Sequence, residues 1–183
     1  MTPQSSFFVL APVRTQREAD LLALMDTMNA SPGHADPDNT LVPFGNFETL
    51  HFARLCVVKD STTGDVAAYG MKPPDYPVYL AFVGDVDGSV EMFFKALASC
   101  ASAGLSAIFA CCEDFEPDTD LSKWMRRHSV RASATYVNWK GRTLLQIREE
   151  AALYTSMERY LDANAETIGG VQPLELHTVL RHF

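Results

Sequence analysis

The side chains best suited to chemistry gather at three places. His51 and Arg54 lie within the run 50–58, Asp85 and Asp87 close the apolar run 78–84, and Tyr136 and Asn138 lie in the C-terminal third. A histidine titrates near neutral pH, so His51 is suited to general-base or ligand work. The guanidinium of Arg54 is suited to holding a carboxylate, either a ligand's or that of Asp85 or Asp87. His51 and Arg54 are separated by an odd number of positions, so on a regular strand they point to opposite faces and cannot serve one site. The alternative for each residue is structural: a hydrogen-bonded support histidine, an ion pair tying strand to helix start, and a helix cap at Asp87. Tyr136, Asn138 and Trp139 would either line a pocket or alternate along a strand.

Nucleophilic and metal chemistry find little footing. There is no Gly-x-Ser-x-Gly elbow, and no Cys–His pair is set by spacing. The four cysteines, Cys56, Cys100, Cys111 and Cys112, include no C-x-x-C pair, so zinc-ribbon and iron–sulfur spacings are absent. They read as buried free thiols of a reducing cytosol. His34-Ala-Asp36-Pro-Asp38 offers possible oxygen and nitrogen ligands, but a polar turn explains it more simply. The run Gly84-Asp-Val-Asp-Gly88 fails as a calcium loop, since Val83 and Phe94 stand where acidic ligands are needed. No metal site and no catalytic residue are assigned.

The elements that must position these residues follow from the apolar periodicity. A strand is expected over 6–13, then a helix from Thr15, with Thr15 and Glu18 as a capping box and Ala19, Leu22, Met25 and Met28 inward. A long loop over 31–48 follows, of a length that is often functional. Residues 50–58 and 78–84 are strands. In the first, His51, Ala53, Leu55 and Val57 should share one face, and Leu50, Phe52, Arg54, Cys56 and Val58 the other. A helix capped by Asp87 or Ser89 should bury Val90, Phe93, Phe94, Leu97 and Ala101 and stop at Gly104. Residues 105–112 read as a fourth strand, 121–129 as a short helix and 132–139 as a fifth strand. Thr143 and Gln146 form a second capping box, opening a long helix with Leu144, Ile147, Ala151, Tyr154 and Leu161 as its buried stripe, ended by Ile168-Gly-Gly170.

The order is β-α-β-β-α-β followed by helix, strand and helix. The expectation is therefore an α+β, ferredoxin-like antiparallel sheet with a C-terminal helix–strand–helix extension. One domain over 1–183 is expected, with its core at about 5–113 and the extension at about 114–183. The name describes the backbone; no iron–sulfur cluster is implied. Helices cover one face of such a sheet, so the other needs the extension, a second subunit or a ligand.

Three stretches carry a family resemblance. Phe47-Glu-Thr-Leu-His-Phe-Ala-Arg54 resembles a "tlHFAR" strand. Residues 80–89 resemble that family's apolar strand with an Asp-Gly turn into a helix. Gly141-Arg-Thr-Leu-Leu-Gln-Ile-Arg-Glu-Glu-Ala-Ala-Leu153 resembles its "G-R-T-x-x-Q-I-R-x-E-A-x-L" helix start. The chain so resembles a widespread, largely uncharacterised bacterial family with a ferredoxin-like domain. That family is reminiscent of dye-decolorising peroxidases and dimeric α+β barrel oxygenases. No Gly-x-x-Asp-Gly peroxidase signature is present, so no haem or other cofactor is expected.

Charge narrows the partners. With a net charge of -8 and a pI of about 5.0, the chain should not bind nucleic acid through its backbone phosphates. The charge is uneven: an acidic loop over 113–120 precedes a stretch, 123–148, that contains no Asp or Glu. That stretch is either solvated surface or a patch for an anion. No apolar run is long enough to span a bilayer and no leader pattern opens the chain, so a cytoplasmic protein without a membrane partner is expected. Two functions from different classes remain. One is a binding domain whose open sheet face takes a second copy, a partner or a ligand. The other is a small-molecule oxidoreductase with its pocket between the sheet and the 31–48 loop.

Overall fold

The computed structural model describes residues 4–60, 63–72, 76–137 and 141–165. The chain divides into two compact units, Met1–Gly141 and Arg142–Phe183. The first unit is an α+β layer structure. Strand β1 (Gln4–Pro12) leads through a 3-10 turn at Thr15–Arg17 into α1 (Glu18–Asp26). A small hairpin, β2 (Asn29–Ser31) and β3 (His34–Ala35), and a 3-10 turn at Phe44–Asn46 lie within the long connection to β4 (Leu50–Val58). Then come α2 (Thr63–Ala68), β5 (Tyr79–Asp87), α3 (Val90–Cys100), α4 (Ser102–Phe109) and α5 (Leu121–Arg127). The second unit contains α6 (Leu144–Ala163).

Strand β5 is central. It pairs antiparallel with β1 on one side and β4 on the other, giving the order β1-β5-β4. Phe7, Val9 and Ala11 of β1 stand opposite Gly84, Phe82 and Leu80 of β5, and together they form the buried face. Phe93, Phe94, Leu97, Leu105, Ile108 and Phe109 complete that core from α3 and α4. Burying a side chain of this size contributes about 1.5–3 kcal/mol. Gly84 has a specific reason to be glycine: a Cβ there would fall 2.6 Å from the ring of Phe7 and 2.4 Å from the carbonyl oxygen of Phe52. The Phe7 ring therefore lies over the space a side chain would take.

The expected fourth strand is not a strand. Residues 102–109 are helix α4, meeting α3 at Ala101 with a bend of 99°. A continuous apolar run suits a buried helix as well as a buried strand, so its periodicity does not separate the two. Gly104 does not stop α3. It sits inside α4, where a Cβ would lie 1.9 Å from the carbonyl oxygen of Leu41. In place of a fourth strand, two isolated bridges reach the edge of β1, Val9 with Ser129 and Val13 with Cys112.

Other expectations shift as well. Thr15 does not cap α1; the 3-10 turn delays the helix to Glu18, and no side chain caps it. The face of α1 turns accordingly: Leu21 and Met28 are buried, with Leu24 and Met25 packed on the core, whereas Ala19 and Leu22 are exposed. Residues 132–137 form no strand, and Asn138 and Trp139 lie outside the described residues. The Thr143–Gln146 capping box is present, with reciprocal bonds of 3.2 and 2.9 Å. The stripe of α6 is not buried: Ile147, Ala151, Tyr154 and Leu161 are exposed and Leu144 is half-buried. Glu150 and Glu158 interrupt it at helical spacing, and Glu150 pairs with Arg142. The expected stop at 168–170 lies outside the described residues. Ser89, not Asp87, caps α3, accepting from the Glu91 amide at 3.2 Å.

Candidate functional site

A β-bulge decides where His51 goes. Leu50 opposes Val86 and Phe52 opposes Asp85, so His51 is the extra residue between them. The bulge ends the expected alternation. Leu50 joins the core beside Val86, leaving the face assigned to it, and His51 swings to Asp87. Its Nε2 donates to Asp87 Oδ1 at 2.9 Å, with the two side chains 12% and 7% exposed. The ionised carboxylate only accepts, so Nε2 carries the proton. Among the described residues no hydroxyl or thiol bonds to the ring. The pair ties the bulge to the end of β5.

Arg54 does not meet Asp85 or Asp87. It is exposed, with its guanidinium 5.9 Å from the centre of the Phe52 ring. Asp85 stands half-buried opposite Phe52 and Ser6. Tyr136 is 87% exposed in irregular chain, and Asn138 lies outside the described residues. Of the five expected residues that are described, His51 and Asp87 are brought together. Three residues of the basic stretch pair with carboxylates: Arg126 with Glu91 at 3.2 Å, Lys123 with Asp120 at 3.3 Å, and Arg142 with Glu150.

Two surfaces with binding potential remain. On the sheet face turned away from the helices, cross-strand rows read Phe8–Val83–Arg54, Leu10–Ala81–Cys56 and Pro12–Tyr79–Val58. Phe52 and Val58 are 45% and 50% exposed. Apart from Arg54, the Tyr79 hydroxyl and the rows Gln4–Asp87 and Ser6–Asp85–Phe52, this face is apolar. The second surface is a cavity of about 420 Å³ between α1, the β2–β3 hairpin and β4. Leu22, Met25, Met28, Phe44 and Leu55 supply apolar walls, and Asp26, Asn29 and Arg54 polar ones. Sequence flagged the 31–48 loop but not Met25, Met28 or Phe44; its unusual length was the available signal.

The loop forming part of the wall is itself rigidly held. Asn39 is buried, its Nδ2 donating to the carbonyls of Asp36 (2.8 Å) and Val42 (2.7 Å). Its Oδ1 accepts from the amides of Leu41 (3.1 Å) and Val42 (2.8 Å). All four cysteines are free; Cys56 and Cys100 are exposed, Cys111 and Cys112 buried. Burial pushes the Cys112 thiol up to about 12, with Cys111 adding to the shift. Burial also raises Cys111, against the opposing pull of Arg17. Among the described residues no three metal-binding side chains converge. No single described helix is long and apolar enough to cross a membrane. No known protein family, no curated protein and no solved structure matches the chain.

Proposed function

We propose that the protein is a binding domain of the ferredoxin-like type, related to the "HFAR" family, whose open sheet face associates with a second copy of the chain. The apolar character of that face carries the reading: Phe8, Leu10, Val83, Phe52 and Val58 all project from it. Contiguous exposed apolar surface is the mark of an association site. Native mass at tens of micromolar tests the proposal. Val83→Lys should lower the native mass below that of the wild type, and the near-isosteric Val83→Thr should keep it. A wild-type monomer overturns the reading.

The cavity supports a second reading, a small-molecule site in which Arg54 would meet an anionic group of an otherwise apolar ligand. The oxidoreductase form of this reading needs a redox group. The described lining does not fit a histidine-ligated haem: among the described residues no histidine lines the cavity, and Asp87 holds the Nε2 of His51. The absorption spectrum of protein purified from cells separates the readings. A Soret or flavin band would favour the oxidoreductase, and a colourless protein would end it.

A further inference from the structure

The two edges of the sheet are treated differently. The outer edge of β1 is covered. Leu10 N–H donates to the His128 carbonyl (3.0 Å) and Val130 N–H to that of Phe8 (2.7 Å). Farther along, Glu113 N–H donates to the Pro12 carbonyl (2.8 Å) and Arg14 N–H to that of Cys111 (2.9 Å). The outer edge of β4 carries no backbone pairing; α1 and the β2–β3 hairpin face Ala53–Cys56 across the cavity described above. Among the described residues β4 pairs only with β5, and no backbone hydrogen bond reaches its other side. Nine residues of strand extend about 30 Å. A long edge of unpaired amides and carbonyls is a pairing template, usually blunted by proline, lysine or inward charge. From Leu50 to Val58 there is no proline and no lysine, and Arg54 is the one fixed charge. The bulge distorts only the first end.

We propose that β4 pairs antiparallel with β4 of a second copy, about a two-fold axis at Leu55, joining two three-stranded sheets into one of six. The register follows from chemistry. For both sheets to keep their helices on one side, each residue must oppose one of the same face, so the axis passes through a residue. An axis at Arg54 would set two guanidinium groups directly opposite each other, which is destabilising. An axis at Cys56 would leave Phe52 beyond the end of the partner strand. An axis at Leu55 pairs Phe52 with Val58 of the second copy, twice by symmetry. These are the two most exposed hydrophobic residues of the strand. Aromatic and β-branched side chains in direct opposition are a favourable cross-strand pair. The same register sets Arg54 against Cys56, and Ala53 against Val57. It brings Leu55 onto its own copy. The sequence of β4 is thus complementary to itself in this one alignment. The pairing uses the backbone edge, so it does not depend on association through the sheet face.

The native Cys56 provides a register-specific test. Directly opposed Cβ atoms lie within about 4.5–5.5 Å, near disulfide reach, whereas diagonal neighbours do not. In a Cys100→Ser background, Arg54→Cys places a new thiol opposite Cys56 of the second copy. Mild oxidation should then give a covalent dimer, released by reductant. The dimer should be lost when Cys56→Ser is added, and absent from Cys100→Ser alone, where the two Cys56 thiols are diagonal. Position 54 is exposed, so the variant should fold as the parent does. No cross-link with Arg54→Cys overturns the proposal. So does a cross-link that survives Cys56→Ser, which would mean position 54 faces itself. Adding Val83→Lys should leave the cross-link intact even where it abolishes face association, so the two readings fail separately.

Discussion

Replacing Gly104 by alanine should destabilise the protein even though alanine is the better helix former. A Cβ at this position would lie 1.9 Å from the Leu41 carbonyl oxygen and 2.4 Å from its carbon, against the 3.4 Å at which ordinary contact begins. Helix α4 and Leu41 would have to separate by about 1.5 Å, the difference between those distances. Leu41 cannot yield freely, because its amide and that of Val42 are held by the buried Asn39. Overpacking costs about 1–3 kcal/mol, and stranding a buried polar group of the Asn39 network costs about 1–3 kcal/mol more. The gain in helix propensity offsets about 1 kcal/mol. The net loss is about 3 kcal/mol, which lowers Tm by about 6–12 °C for a chain of this size. Urea unfolding followed by far-UV circular dichroism should show a lower midpoint at an unchanged slope. Gly64→Ala is the control: it lies in α2, and a Cβ there meets nothing within 4 Å, so stability should hold or rise. If Gly104→Ala were as stable as the parent, the close approach of α4 to the loop would be wrong.

Other consequences are open to measurement. Asp87→Ala should cost about 1–3 kcal/mol by stranding His51 Nε2; a loss too small to detect in urea unfolding would mean that the pair does not lock the bulge. In native protein at pH 8 Cys111 and Cys112 should resist a maleimide, and all four thiols should react in denaturant; native labelling of Cys111 or Cys112 would contradict their burial. Their raised values favour the protonated thiol in the fold, so this stabilisation is complete below pH 9 and declines toward about pH 12 for Cys112. Asp120 caps α5, and the Lys123 amide it accepts from holds its carboxyl below the usual value. That contribution is present above pH 3.8 and fades as pH falls through the lowered value. Asp120→Asn should flatten this acid limb in equilibrium unfolding, and an unchanged limb would remove the cap from the account.

How far the sequence could be read depended on whether its periodicity had one solution. The bounds of β4 were legible because the apolar run 50–58 stops at the polar residues Lys59 and Asp60. Phe93, Phe94 and Leu97 marked the buried face of α3 by their helical spacing. The run 105–112 was ambiguous because it is apolar at every period, and the tertiary close approach at Gly104 decided for helix. His51 and Asp87 were recognised as reactive types, but their contact depends on one inserted residue, and Leu50-His-Phe alternates equally well without a bulge. Arg54 was expected to seek a carboxylate. It lies by an aromatic ring and a cavity instead, where solvent satisfies its charge. The cavity walls come from α1, the hairpin and β4, three elements whose convergence no local pattern encodes.

The placement of β5 between β1 and β4 bears on the timing of synthesis. Strand β1 ends at Pro12, yet its central neighbour is not complete until Asp87, and its other edge is covered only by chain near Ser129. At about 5–20 residues per second, β1 is made roughly 4–15 s before β5 can pair with it. Through that interval an apolar segment, Phe7-Phe-Val-Leu-Ala11, has no strand to receive it. Sheet closure is thus a late, long-range event. A factor that shields this segment while β5 is still being made should therefore raise the yield of folded protein more than one acting after release.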